Sequence, residues 1–100
     1  MAFAIKFPGS AAAELKAKRI FDQRRIMDEI EKQLRDQPTV ASRNRKCLSD
    51  FEPGFRHEPP IWELRVGDFR VFYDVDEEAQ VVSVRAIREK AHGQTTEEIA

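Results

Sequence analysis

The sequence has only one cysteine, Cys47, so it forms no internal disulfide and suits a reducing compartment. It also lacks a long apolar run, since its hydrophobic stretches are a few residues long and far short of a membrane-crossing helix. The opening "MAFAIKFPGS" holds one lysine and no extended apolar segment, which argues against a secretory signal. The two histidines, His57 and His92, stand alone, without the Cys/His spacing that ligates zinc. There is no Ser-His-Asp pattern, no phosphate-binding loop and no dinucleotide fingerprint. No metal and no cofactor is expected, and the cytoplasm is the expected location, away from membranes.

What is there is a chain of 100 residues, 41% apolar and 35% charged, the make-up of one small globular domain over residues 1–100. Its net charge of −1 hides an asymmetry. Residues 1–50 carry 11 Lys/Arg against 7 Asp/Glu, a balance of +4, and residues 51–100 carry 6 against 11, a balance of −5. Nucleic-acid binders are usually clearly basic, so any anion site here must be a local cluster.

"AFAIKF" (2–7) alternates and predicts a short strand ended by Pro8-Gly9. Ser10 is placed to cap a helix through "AAAELKAKR". A second helix is expected with Asp22 as N-cap and Phe21 and Ile26 as its hydrophobic staple. Ile26, Met27, Ile30 and Leu34 form its buried stripe, and Asp28/Lys32 and Glu31/Arg35 pair on its solvated face. Asp36-Gln37-Pro38 ends it. Residues 39–60 read as a long irregular connection with room for a short extended piece; they include the basic "RNRK" (43–46). Cys47, beside Lys46, reads as an inert, partly buried thiol rather than a nucleophile. From residue 61 the pattern is β, with strands "IWELRV", "FRVFYDV" and "VVSVRAI", and Thr95 or Thr96 is placed to cap a terminal helical turn. The order is β-α-α-β-β-β(-α), an α+β fold with two N-terminal helices packed on one face of a small antiparallel sheet.

A two-residue loop at Gly67-Asp68 suits a type II′ turn. It places Val66 opposite Phe69, Leu64 opposite Val71 and Trp62 opposite Tyr73 on the core face. Arg65 then lies opposite Arg70 on the other face. A loop at Glu77-Glu78, or at "DEEA" (76–79), would set Tyr73 against Val82, Val71 against Val84 and Arg70 against Arg85, giving a row of three arginines. Like charges directly opposite one another weaken a sheet. Glu63 and Asp74 could neutralise the row, or the row could receive an anion, since guanidinium groups suit bidentate phosphate contacts. Arg88 and Lys90, just beyond the last strand, and Arg43, Arg45 and Lys46 could complete such a phosphate- or RNA-binding surface.

The strand order, the helix "FDQRRIMDEIEKQLRDQP", the segment "RNRKCL" and above all "WELRVGDFRVFYDVDEE" followed by "VVSVRAI" resemble the RelE/ParE superfamily of bacterial toxin–antitoxin toxins. The resemblance implies a plasmid-stabilising type of toxin neutralised by a cognate antitoxin that wraps its sheet and helices. In the RelE branch such a toxin is a ribosome-dependent endoribonuclease acting on mRNA, and in the ParE branch it inhibits DNA gyrase without cutting RNA. By resemblance Arg70 takes the catalytic arginine position, Arg65 a common basic position, and Lys90 and Arg88 approximate a second basic site. The family's catalytic lysines are replaced by Ile61 and Glu63. Its C-terminal tyrosine falls in "AHGQTTEEI", where His92 is the stand-in. Catalytic roles are thus expected for Arg70, Arg65, Lys90 and His92, with His57 as another general acid or base. A nuclease, a gyrase inhibitor and a degenerate toxin that only binds its antitoxin all remain open at this point.

Overall fold

The apolar stripe of one long helix decides how the sheet is covered. The computed structural model describes residues 2–91 and 93–100. Its elements are β1 (Ala4–Lys6), α1 (Ala11–Lys16), α2 (Ile20–Leu34), β2 (Arg45–Leu48), β3 (Ile61–Val66), β4 (Phe69–Asp76), β5 (Val81–Glu89) and α3 (Thr96–Ile99). Ile26, Ile30 and Leu34 of α2 are fully buried against Leu64, Val71, Tyr73, Val82, Val84 and Ile87 of the sheet. The fold is α+β, as expected, with the strands in the order β1-β5-β4-β3-β2.

Two features of the sheet differ from the sequence reading. β2 to β5 form antiparallel ladders, but β1 joins β5 in parallel, so the sheet is mixed. The two-helix excursion between β1 and the hairpins allows this, since a parallel neighbour needs a long crossover. β2 is the extended piece inside residues 39–60, an edge strand pairing Arg45 with Leu64 and Lys46 with Glu63. α1 lies beside β5 beyond its pairing with β1, where Glu14 Oε1 accepts from the Ile87 N–H at 2.8 Å.

The helix starts also depart from expectation. α2 begins at Ile20 with Arg19 as N-cap, and Asp22 sits in the first turn, 3.3 Å from Arg19. Phe21 therefore forms no staple and is 72% exposed. The Gln23 amide, donating to the carbonyls of Lys16 (3.2 Å) and Lys18 (2.7 Å), ties the α1–α2 connection down instead. Ser10 makes no side-chain cap. Thr95 does cap α3, in a reciprocal capping box with Glu98.

The first hairpin has the expected register, with Arg65 opposite Arg70 and Trp62 opposite Tyr73. Gly67 alone takes positive φ (57°) at the tip, as a type II′ turn requires. The second hairpin is corrected. Its loop is the four residues 77–80, so Asp76 pairs with Val81 and Tyr73 with Val84 rather than Val82. Glu77-Glu78 lacks the glycine or asparagine that a two-residue turn needs. Instead the Asp76 carboxylate accepts from Ala79 N at 2.9 Å, and Gln80 takes φ 59° to close the turn.

A bulge then shifts the register again, so that Phe72 faces Ala86 and Arg70 faces Arg88, not Arg85. It has a packing cause. Val82, Val84 and Ile87 all face the core, and only an extra residue between Val84 and Ile87 makes that possible at a period of two.

Candidate functional site

The face of the sheet opposite α2 is divided. Near its middle, Ile61, Phe72 and Ala86 form a second apolar cluster covered by Phe51, Phe55 and Ile99. This cover comes from the irregular segment after β2 and from α3. Toward the Gly67 tip the face is polar and concave. Two adjoining hollows, about 220 and 390 Å³, share Arg65, Arg70 and Lys90. The first adds Arg43, Asn44, Lys46, Glu63 and Thr96, and the second adds Asp68, Glu89, Ala91, Gly93 and Gln94.

Local structure explains why these side chains meet. The type II′ turn places Arg65 and Arg70 on the same face. The Lys90 N–H donates to the Asp68 carbonyl at 2.7 Å, holding the chain beyond β5 against the hairpin tip. The Arg65 N–H donates to the Asn44 carbonyl at 2.8 Å, bringing Arg43 and Lys46 to the other rim.

Arg70, 7% exposed, forms the floor. Its Nη1 donates to the carbonyls of Gly67 (2.7 Å) and Phe69 (2.9 Å), and its Nε and Nη2 have no partner among the described residues. Five cations thus face three carboxylates. Among the described residues, none of the five has a carboxylate within ion-pair distance. Such a cluster offers hydrogen-bond donors at the surface, three of them guanidinium groups, the group suited to bidentate contact with phosphate oxygens.

Other expected site residues are placed elsewhere. Arg85, the bulge residue, pairs with Asp74 through Nε–Oδ2 at 2.7 Å and Nη2–Oδ1 at 3.2 Å. Arg88 is opposite Arg70 but is held by Glu14, donates to the Ile99 carbonyl at 3.0 Å, and lies 5.8 Å over the Phe55 ring. Arg45 turns to the helix side, where it is 8% exposed and donates to the Val40 carbonyl (2.8 Å) and to Gln33. His57 lines neither basic hollow; its Nδ1 is 3.1 Å from the Phe55 carbonyl and its Nε2 3.8 Å from Glu52. His92 lies outside the described residues.

Sequence reasoning did not identify the remaining lining groups, Asn44, Thr96, Asp68 and Glu89. Thr96 reaches the site because α3 returns over the outer face, where its hydroxyl donates to Glu63 Oε2 at 2.9 Å. Only the apolar Ile99-Ala100 at the chain's end hinted at such docking. A larger hollow, about 940 Å³, is at the far end of the sheet and is lined by Trp62, Asp74, Asp76, Glu77 and Arg85 among others. Among the described residues, no group of three or more His, Cys, Asp or Glu is placed to hold a metal, and no helix is long and apolar enough to cross a membrane.

The model of the ParE toxin of the type II toxin–antitoxin system parDE matches residues 5–92. The chain belongs to this toxin family. The wider fold is that of RelE. A chain of an archaeal RelE–RelB complex from Pyrococcus horikoshii OT3 superposes with a TM-score of 0.70 at 18% identity, covering 93% of this chain and 100% of that one. A chain of the toxin–antitoxin complex RelBE2 from Mycobacterium tuberculosis gives 0.70 at 19% identity, covering 90% and 100%. No curated protein sequence matches. The ParE-family chain is thus a toxin of a type II toxin–antitoxin system on a RelE-like scaffold, and at these identities the structural likeness speaks for the fold alone.

Proposed function

We propose that this toxin is an endoribonuclease that cuts mRNA on the ribosome, using the basic cleft at the hairpin tip to hold the scissile phosphate, and that a cognate antitoxin neutralises it. The observation that carries this reading is the set of five cations, the recessed Arg70 among them, none of which has a carboxylate within ion-pair distance among the described residues. In such a site the RNA's own 2′-hydroxyl attacks the adjacent phosphate and the 5′-oxygen leaves, giving a 2′,3′-cyclic phosphate. Arg70, through its free Nε and Nη2, stabilises the charge that develops on the phosphate, typically the largest catalytic contribution. Arg65 and Lys90 flank it, and Lys46 and Arg43 position the backbone on either side. The two carbonyls that accept from Arg70 Nη1 hold the guanidinium in place before substrate arrives.

A second reading, inhibition of DNA gyrase, is favoured by the ParE description of the matching family model. One experiment separates the possibilities. The toxin is induced without antitoxin, and protein synthesis, mRNA integrity and cell shape are followed together. Falling translation with new mRNA 5′ ends supports the nuclease, whereas filamentation with DNA damage and intact mRNA replaces it with the gyrase reading. Absence of any arrest would leave a toxin that only binds its antitoxin.

A further inference from the structure

We propose that Glu63 is the general base of the cleft, the group that takes the proton from the attacking 2′-hydroxyl. The inference rests on the endoribonuclease reading above. It supplies a buried proton acceptor beside Arg70, where the other carboxylates of the cleft, Asp68 and Glu89, are exposed. Lysine and arginine are protonated at neutral pH and cannot fill that role without large pKa depression.

Glu63 is a carboxylate buried to 8% exposure that nevertheless lines the basic hollow. A carboxylate sunk among cations would ordinarily be their counter-ion, but no Lys or Arg among the described residues lies within ion-pair distance of it. Its Oε2 is held by the Thr96 hydroxyl at 2.9 Å. Its Oε1 has no partner among the described residues, and no buried side-chain oxygen among them lacks one, so Oε1 opens into the hollow.

Register completes the geometry. Glu63 faces Phe72 while Arg65 faces Arg70, so Glu63 and Arg70 are diagonal neighbours on the same face, about 7–8 Å apart at the backbone. A phosphate on Arg70 would lie between the guanidinium and the carboxylate. Asp68 and Glu89 cannot substitute as readily, because both are exposed at the rim rather than on the floor.

The step balances without an oxidant or a metal. The O2′–H bond breaks as O2′–P forms, and the proton passes to Glu63 Oε1. The P–O5′ bond breaks, and O5′ takes a proton from the Lys90 ammonium. Solvent then returns Glu63 to the carboxylate and Lys90 to the ammonium. Thr96 is a positioning residue: it occupies one carboxylate oxygen and so aims the other.

The test uses the full-length toxin and its Glu63→Gln, Glu63→Asp and Thr96→Ala variants, with a defined mRNA on purified ribosomes. A 2′-deoxy version of the same mRNA measures binding without cleavage. Glu63→Gln is expected to slow cleavage by about 10²–10⁴-fold, to bind the deoxy mRNA as tightly or more tightly, and to lose the acid limb of the pH–rate profile. Thr96→Ala should lower kcat at unchanged KM, and Glu63→Asp should fall between. If the wild type cleaves and Glu63→Gln keeps both its rate and its pH profile, Glu63 is not the base while the nuclease reading stands. If the wild type cuts no RNA, the nuclease reading itself falls. Should Glu63→Gln lose its folded circular-dichroism spectrum, the other two variants decide: unchanged kcat and pH dependence in both overturns the assignment.

Discussion

Arg70 and Arg85 look equivalent in the sequence, and the structure makes them opposites, so removing each should give opposite results. Arg85→Ala takes the counter-charge from Asp74, a 4% exposed carboxylate left with only the Glu58 N–H at 2.8 Å. Breaking a fully buried pair costs about 3–5 kcal/mol. The Arg85 side chain is 17% exposed, which discounts that to roughly 2–3 kcal/mol. For a domain of this size each kcal/mol moves Tm by about 4–8 °C, so thermal unfolding should shift down by roughly 8–24 °C. Arg70→Ala removes hydrogen bonds to two turn carbonyls, about 1–3 kcal/mol in all, but also relieves the opposition with Arg65, worth up to about 1 kcal/mol. With that relief taken in full the net loss is about 0–2 kcal/mol, so on the same scale its Tm should fall by at most roughly 16 °C, less than for Arg85→Ala. Activity should show the reverse order: Arg70→Ala loses about 10²–10³-fold in cleavage and no longer arrests growth while still binding antitoxin, and Arg85→Ala remains toxic below its lowered Tm. Calorimetry and a growth assay on the same two proteins suffice. Full toxicity of Arg70→Ala, or loss of cleavage by Arg85→Ala with Tm unchanged, would refute the division of roles.

Tyr73 is the only tyrosine in the chain, so its titration can be followed by tyrosinate absorbance without interference. Burial raises its pKa well above the usual phenol range, and its hydroxyl donates to the Pro38 carbonyl at 2.6 Å. Because the folded pKa is raised, the unfolded chain loses this proton first; the associated stability is complete below pH ~10 and is lost as pH climbs beyond it. Tyr73→Phe should remove that alkaline loss and lower stability at neutral pH by about 1–3 kcal/mol, since the Pro38 carbonyl is left unpaired; urea unfolding at the two pH values checks both. Gly67→Ala should cost about 1–2 kcal/mol from its positive φ, and the added Cβ would run into the Arg25 guanidinium, forcing that side chain aside; a Tm unchanged from wild type would contradict this. Lys46→Ala should weaken mRNA binding and reduce the log–log salt slope by about one, measured by titration at several salt concentrations.

The parts of the fold that were legible are those set by local rules. Gly67-Asp68 dictates both turn type and register, so the placement of Arg65 opposite Arg70 followed from arithmetic. The α2 stripe was legible because its apolar residues recur at helical spacing. The second hairpin was not, because an Asx-type turn and a bulge are alternatives that alternation alone does not choose between; the need to keep Ile87 in the core selects the bulge. β2 was obscured for a related reason: a four-residue edge strand whose Arg45 points to the helix side does not read as apolar alternation. The site was half legible. The central arginines were, but its rim depends on where Lys90 and Thr96 return in space. Those contacts are the 2.7 Å Lys90–Asp68 hydrogen bond and the docking of α3 over Phe72.

The charge asymmetry also takes a spatial form that counting by halves of the chain could not show. β4 runs from the Gly67 tip to the acidic 77–80 turn, eight residues, or roughly 25 Å at strand rise. At the tip lie Arg43, Lys46, Arg65, Arg70 and Lys90. Arg25 of α2 adds to this end by folding over Gly67. At the other end Glu58, Asp74, Asp76 and Glu77 line the large hollow, with Lys6 and Arg85 as its cations. A chain of net charge −1 is therefore a dipole along its central strand. Such a dipole offers a polyanion its basic end first and turns the acidic end away, an orienting effect that low net charge does not abolish. The two opposed arginines sit at the positive end of that dipole. Their mutual repulsion is a cost of at most about 1 kcal/mol, and an anion bound between them would lower it.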